Sequence, residues 1–167
     1  QRVIYTESHD DVANGKTRVP DEIAPDDAQN WFAKKRSILG AVLTLTCPGI
    51  PMIFQGQEFV ESGTFSDNQP LDWSKFSEFK GIARLYRDCI RLRRNMDGVT
   101  KGLAGQHIRI IHMNHEDKVV AFHRWHDGGY KDSVIVIINF ANKEHRDYVI
   151  GVPEEGQWKV RFNSDWK

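Results

Sequence analysis

The sequence predicts an α/β fold over residues 1–97, followed by an all-β fold over residues 98–167. Two observations lead to this division. In the first part, two short apolar runs flank a long amphipathic stretch, which is the strand–helix–strand order of a parallel βαβ unit. In the second part, short β-favouring runs recur between turn residues, a spacing typical of an antiparallel sandwich or barrel. The chain is therefore expected to contain parts of two domains.

The βαβ unit is predicted from three consecutive segments. Residues 3–6 are apolar and β-favouring, and residues 50–54 form a second apolar run, as expected of a buried parallel strand. Between them, a wide apolar sector predicts a helix over about residues 28–46. Asp26 and Gln29 have the spacing of a capping box, which places the start of this helix near Asp26.

A polar cluster follows each predicted strand of this unit. Residues 7–11 come after the first strand, and residues 55–58 come after the second. The carboxyl ends of parallel strands lie on one face of a sheet, where barrel enzymes place their chemistry. Joined by a right-handed crossover, the two strands would bring both clusters to that face.

The remainder of the chain is predicted to contain one more helix and a series of strands. An amphipathic pattern over residues 77–95 indicates the helix. Alternation in the last apolar run, where Trp158, Val160 and Phe162 are separated by charged residues, is typical of a half-buried strand. The predicted strands are residues 107–113, 118–125, 133–140, 147–152 and 157–162.

Composition excludes several classes of function. Lys plus Arg and Asp plus Glu number 23 each, so no basic field would attract nucleic acid. The longest apolar stretch, near residues 38–54, is interrupted by glycine and proline and makes a poor membrane span. We therefore expect neither a nucleic-acid nor a membrane partner, and we expect the protein in the cytoplasm.

Cysteine and histidine usage points to neither a disulfide framework nor a metal centre. The two cysteines, Cys47 and Cys89, are too few for such a framework and are expected to be free buried thiols. Most of the histidines fall on or near predicted strands without a recurrent ligand spacing. No metal ion and no cofactor is expected.

The run from Ser8 to Asp11 allows several chemical interpretations. Ser8, His9 and Asp10 are the residue types of a hydrolytic triad, but adjacent residues on an extended chain point in opposite directions and could not align. His9, Asp10 and Asp11 could bind a metal, although one contiguous cluster is weak evidence. Asp10 could instead face a sugar, with His9 bonding a hydroxyl. A simple solvated cluster is also compatible with the pattern.

Three motifs in this order resemble the α-amylase family. Residues 5–18, YTESHDDVANGKTR, resemble the family's last conserved region, in which a His-Asp pair ends the seventh barrel strand. Residues 48–59, PGIPMIFQGQEF, are similar to its eighth strand, and residues 134–140, VIVIINF, resemble a core strand of its C-terminal all-β domain. The resemblance implies that residues 1–97 form the last two strand–helix units of a (β/α)8 TIM barrel. It also implies that residues 98–167 form an antiparallel β-sandwich domain, expected to be truncated.

The resemblance also implies a retaining mechanism with three carboxylates acting on an α-glucan such as glycogen or starch. Asp10 matches the catalytic carboxylate that stabilises the transition state, His9 matches a substrate-binding histidine, and Asp11 beside them is assigned to substrate binding. The family's nucleophilic Asp and general-acid Glu lie on the fourth and fifth strands, outside this sequence. The chain alone is therefore expected to be inactive and to need the remainder of the barrel as its partner.

Several functions stay open within and outside this family. The runs around His9 and around Glu58 are most similar to family members that branch 1,4-α-glucans, while an amylase-type hydrolase or a trehalose-forming relative is an alternative. A catalytically inactive member is another. From a different class, the chain could be a glucan-binding or scaffold module, with Trp125, Trp158 and Trp166 as stacking platforms for sugar rings.

Overall fold

A computed structural model describes residues 2–129 and 132–166, and the chain divides into two compact units. The first unit comprises Gln1–Leu45 and Gly49–Cys89, and the second comprises Thr46–Pro48 and Ile90–Lys167. The outer bounds of the two predicted domains, residues 1 and 167, lie outside the described residues. The domain boundary after residue 97 stays a prediction.

The first unit contains a parallel strand pair, as predicted. Strand β1, Val3–Ile4, pairs in parallel with strand β2, Ile50–Pro51. The Ile50 N–H donates to the Arg2 carbonyl and the Met52 N–H to the Ile4 carbonyl, both at 2.9 Å. The predicted parallel arrangement is confirmed, and both strands are shorter than predicted.

The side chain of Gln57 explains why the pairing ends so early. Its Oε1 accepts from the Phe54 N–H at 2.7 Å, and its Nε2 donates to Thr6 Oγ1 at 2.7 Å. One side-chain amide therefore joins the segments that follow β1 and β2, beyond the last hydrogen bond of the ladder. The Phe54 N–H, a backbone donor that could extend the ladder, is satisfied by this side chain instead.

The segment between the two strands holds three helices, of which only the last was predicted. They are α1, His9–Ala13; α2, Val19–Ile23; and α3, Trp31–Thr46. The predicted capping box at Asp26 and Gln29 is wrong, because Asn30 Oδ1 accepts from the Ala33 N–H at 2.8 Å and so caps α3. Residues 24–30 instead form consecutive turns.

A short turn and two helices complete the first unit. The 3₁₀ turn Gln57–Phe59 follows β2, and the predicted helix over residues 77–95 is replaced by α4, Ser74–Glu78, and α5, Lys80–Arg93. The break falls at Phe79. Apolar side chains at the centre of this unit are buried: Val12, Ala33, Ala41, Leu45, Phe54, Phe59, Val60, Leu85, Tyr86 and Cys89. Burial raises the pKa of Cys89 to about 12, as expected of an unreactive thiol.

The second unit contains the short helix α6, Lys101–Ala104, and one antiparallel sheet. Strands β3, His107–Asn114; β4, Val119–Trp125; and β5, Val134–Asn139 lie in the order β3-β4-β5. The antiparallel part of the fold prediction is confirmed. The predicted strands at residues 147–152 and 157–162 are wrong, since neither segment is a strand in the described chain.

The exposure of those two segments gives the physical reason for the error. Val149 is 85% exposed and Val160 is 64% exposed. The Tyr148 hydroxyl bonds His112 of β3 at 2.9 Å, but neither segment pairs with a strand of the described sheet. Alternation stabilises a strand only when one face of that strand is buried. The structure accordingly has a three-stranded sheet where the sequence predicted a β-sandwich.

A buried arginine in β4 bonds to backbone carbonyls within the second unit. Arg124 is fully buried and donates to the carbonyls of His107, Thr46, Leu103 and Gly105. Burial lowers its pKa to about 10. The carbonyl oxygens satisfy a cation that would otherwise be costly to remove from water.

No helix of the described chain combines the length and the apolar character needed to cross a membrane. Cys47 and Cys89 are both free, as predicted, but Cys47 is only half-buried.

Candidate functional site

The segment that follows β1 begins with a helix cap. Ser8 is extended and precedes α1; its Oγ accepts from the Asp11 N–H at 3.2 Å and donates to Asp11 Oδ2 at 2.8 Å. The assumption that this segment is extended throughout is wrong, because His9 and Asp10 are already helical. A Ser-His-Asp triad is still not formed, because the Ser8 hydroxyl donates to Asp11 and not to the His9 imidazole.

His9 and Asp10, two of the three predicted site residues, lie side by side on the first turn of α1. His9 Nδ1 and Asp10 Oδ1 are 3.2 Å apart, and the two side chains are 57% and 92% exposed. An exposed carboxylate beside an imidazole offers an acceptor and a donor to the hydroxyls of a ligand. Both groups are open to a molecule approaching from solvent.

Asp11 differs from its two neighbours because its carboxylate is occupied. Ser8 bonds Oδ2, and Lys16 Nζ donates to Oδ1 at 2.8 Å. The hydrogen bond from Lys16 is the main cause that holds the pKa of Asp11 below its ordinary value. Both oxygens of the Asp11 carboxylate are therefore bonded to residues of the same segment. The assignment of Asp11 to substrate binding stays a prediction.

A buried ion pair fixes the base of the same segment. Arg18 Nη1 donates to Glu7 Oε1 at 3.3 Å, and the Val19 N–H donates to Glu7 Oε2 at 2.7 Å. Arg18 also donates to the Gln55 carbonyl at 2.9 Å and lies 4.5 Å from the centre of the Phe54 ring. Burial raises the pKa of Glu7 above its ordinary value of 4.5, although the contacts with Val19 and Arg18 act in the opposite direction. Arg18 therefore ties the segment carrying both exposed site residues to the end of β2.

The turn that follows β2 is held in one conformation by a close contact. Gly56 has a φ of 90°, and a Cβ at this position would lie 2.6 Å from Glu61 Cβ. The Gly56 N–H donates to Glu58 Oε2 at 3.1 Å, so Glu58 makes a contact within the turn. Val60, buried in the same turn, has a φ of 59°, which is unfavourable for a β-branched residue.

Gly56→Ala is expected to destabilise the chain by about 2–4 kcal/mol, because it adds backbone strain and a collision with Glu61. Gly63→Ala is the matched control: Gly63 has a φ of 85°, but nothing lies within 4 Å of its missing Cβ. The control should lose only about 1–2 kcal/mol. Urea unfolding of both variants measures the difference. Equal losses would show that the contact with Glu61 has no influence.

Aromatic side chains from the turn region reach the predicted site. The ring of Phe65 lies 4.7 Å from the His9 imidazole in an edge-to-face arrangement and 5.7 Å from the Phe54 ring. Sequence reasoning missed both Phe65 and Arg18. Arg18 ends the run over residues 5–18 that carries the family resemblance, but no role was predicted for it, and Phe65 lies far from His9 in sequence.

The other candidates from the sequence lie in the second unit. Trp125 stacks with the imidazoles of His107 and His123, so its ring already contributes to an aromatic cluster. Trp158 and Trp166 are exposed. Among the described residues, no group of three or more His, Cys, Asp or Glu side chains is arranged to hold a metal ion.

Comparison with known proteins relates the whole chain to one group of enzymes. Residues 110–167 match the family model of the alpha amylase C-terminal all-beta domain. The 1,4-alpha-glucan branching enzyme GlgB of Pseudomonas fluorescens Pf0-1 is 33% identical over 173 residues, covering 99% of this chain and 22% of that enzyme. Its counterpart from Oceanobacillus iheyensis is 32% identical, covering 95% of this chain and 25% of that enzyme. The counterpart from Mycobacterium tuberculosis H37Ra is 32% identical, covering 95% of this chain and 22% of that enzyme. The chain thus spans about a quarter or less of the length of these relatives.

Proposed function

Because the chain belongs to the α-amylase family, we propose that it is the C-terminal portion of an enzyme that branches 1,4-α-glucans. In this proposal, β1, α3 and β2 are the seventh strand, its helix and the eighth strand of a (β/α)8 barrel. The parallel pairing of Val3 with Ile50 supports this placement. The all-β domain follows the barrel, with its boundary near residue 97.

The observation that carries the proposal is the exposed pair of His9 and Asp10 beyond the carboxyl end of β1. In a barrel, the carboxyl ends of the strands surround the active site. There Asp10 would bind the ring hydroxyls of the sugar under attack and stabilise positive charge in the oxocarbenium-like transition state. His9 would form a hydrogen bond with a neighbouring hydroxyl through Nε2, since its Nδ1 is bonded to Asp10, and Asp11 would bind the substrate beside them.

The bond-breaking steps in this proposal belong to carboxylates on earlier strands of the barrel. One would attack the anomeric carbon while the other protonates the departing glycosidic oxygen. The glucan segment held on the enzyme would then pass to the 6-hydroxyl of a second chain. Hydrolysis would follow instead if water reached the glycosyl-enzyme first, so the choice depends on how well water is excluded.

Incubation of the intact enzyme with amylose tests the proposal. We expect new α-1,6 linkages in the proton NMR spectrum, with few new reducing ends. Reducing ends without new linkages would identify a hydrolase, and formation of a non-reducing disaccharide would identify a trehalose-forming enzyme. Amylose that stays unchanged, with no new linkages and no new reducing ends, would favour a catalytically inactive member of the family.

The exposure of Trp158 and Trp166 favours a second candidate, a non-catalytic glucan-binding module. Indole rings open to solvent can stack on the apolar faces of sugars. Affinity electrophoresis in glycogen gels separates the two functions. A module would be retarded and would lose retardation in the Trp158→Ala and Trp166→Ala variants, without any change in linkage content of the glycogen.

The 167-residue chain by itself is expected to form no α-1,6 linkages and to release no reducing sugar, because it lacks the proposed nucleophile and general acid. Debranching followed by chain-length analysis of amylose measures this directly. The Asp10→Ala variant of the chain is the control and should give the same blank result. If the 167-residue chain turned over amylose and the Asp10→Ala variant did not, the whole reaction would have to take place within these 167 residues.

A further inference from the structure

The segment over residues 61–72 is a loop whose two ends are fixed by one carboxylate. Glu61 Oε2 accepts from the Asp72 N–H at 2.7 Å, which joins the two ends. Glu61 Oε1 accepts from Lys75 Nζ at 2.6 Å and from the Ser62 N–H at 3.1 Å. Both Glu61 and Lys75 are buried. We refer to residues 61–72 as the Phe65 loop.

The Phe65 loop is attached to the segment that carries the candidate site. Near its start, the Gly63 N–H donates to Asp21 Oδ2 of α2 at 2.8 Å. Phe65 itself packs on Phe54, three residues after β2, and its ring meets that of His9 at an interplanar angle of 75°. The ring that contacts His9 therefore belongs to a loop whose ends are joined by Glu61 and which is also bonded to α2 through Gly63. Phe54 packs against the same ring.

These contacts restrict the imidazole of His9 in two ways. Asp10 bonds Nδ1, and the Phe65 ring lies in edge-to-face contact with the imidazole, with 4.7 Å between the ring centres. Within the part of the chain that the structure describes, Nε2 of His9 makes no hydrogen bond. An exposed side chain would otherwise lose rotamer freedom on binding a ligand, and a ring already held in place loses less.

We propose that Phe65 is a positioning residue, which holds the His9 imidazole with Nε2 directed to a hydroxyl of the α-glucan bound at Asp10. This proposal rests on the proposed function of the site. Phe65 acts through His9, so its effect requires an aromatic ring at position 65 and an imidazole at position 9. A residue that only filled space would show neither requirement.

The test compares Phe65→Leu with Phe65→Tyr in the intact enzyme, each with and without His9→Ala. Phe65→Leu should raise KM for amylose about 3- to 10-fold, the size of one weakened hydrogen bond, and leave kcat nearly unchanged. Phe65→Tyr keeps the ring and should behave as the wild type. In the His9→Ala background, Phe65→Leu should have no further effect on KM.

A control and an independent signal accompany these kinetics. Phe76→Leu makes the same change at a ring that packs on Phe59 rather than on His9, and should leave KM unchanged. In NMR spectra of histidine-labelled protein, the ring-current shift of the His9 imidazole protons should disappear in Phe65→Leu and persist in Phe65→Tyr.

The outcomes separate this inference from the function on which it rests. Equal effects of Phe65→Leu with and without His9→Ala would overturn the inference, as would a Phe65→Tyr variant as impaired as Phe65→Leu. A persistent His9 shift in Phe65→Leu would also overturn it. A wild-type enzyme that is inactive on amylose, with the NMR pattern intact, would refute the proposed function alone.

Discussion

Asp10→Asn in the intact enzyme is expected to lower kcat for amylose branching by about 10²–10³-fold. The substitution keeps the shape of the side chain but removes the charge that opposes the developing oxocarbenium ion. The loss should appear mainly in kcat, because the charge contributes most in the transition state. Initial rates of α-1,6 linkage formation at several amylose concentrations separate kcat from KM.

Two further variants show whether the effect belongs to the carboxylate. His9→Ala should be milder and should raise KM more visibly, since its hydrogen bond would form with substrate and transition state alike. Ser8→Asn replaces the hydroxyl but retains a good helix cap for α1, so it should leave kcat nearly unchanged. If Ser8→Asn lowered kcat as much as Asp10→Asn, a nucleophilic serine would have to replace the sugar-facing carboxylate.

The parallel strand pair could be predicted from sequence because it follows from local patterns. Two apolar runs flank an amphipathic stretch, and this order predicts a parallel strand pair joined by a helix. The expected burial of the second run is wrong at its start, because Ile50 is 48% exposed. The extent of pairing could not be predicted in the same way. It depends on Gln57, whose amide satisfies Thr6 and Phe54 where the ladder would have continued.

The short helix α1 shows how a signal can be present and still be missed. Ser8 and Asp11 have capping-box spacing, but only five helical residues follow the cap and no amphipathic period develops. In the second unit the opposite occurred. Residues 157–162 have a clear alternating pattern, yet Trp158 and Val160 are exposed and no strand forms there.

The candidate site could be predicted only as far as its exposed residues. His9 and Asp10 were identified through family resemblance, since their spacing alone allowed a metal ligand, a sugar-facing carboxylate or a solvated cluster. Arg18 and Phe65 were not identified, because their partners are brought to them by the fold. Arg18 meets the carbonyl of Gln55, which is 37 positions away. A single sequence contains no local pattern for such contacts.

Arg18→Met is expected to lower the free energy of unfolding by about 3–5 kcal/mol, because it leaves the carboxylate of Glu7 buried without its cation. Glu7→Gln should also be destabilising, since the neutral amide no longer pairs with the charge of the buried Arg18. The double variant should lose clearly less than the sum of the two, because it leaves no unpaired buried charge. Urea unfolding at constant pH measures all three, and additive losses would contradict a direct pairing.

The pH dependence of the Arg18→Met variant provides a second test of the same pair. Burial already raises the pKa of Glu7 above 4.5, and removal of Arg18 eliminates contacts that lower it, so this pKa should rise further. A carboxyl whose pKa is raised on folding stabilises the protein below its unfolded pKa, and this stability is lost as pH rises through the folded pKa. The destabilisation by Arg18→Met should therefore be smallest below pH 4.5 and increase as the pH rises above that value. Glu7→Gln in the same background removes the titrating group and should abolish the slope. A slope that survives in the double variant would assign the pH dependence to a group other than Glu7.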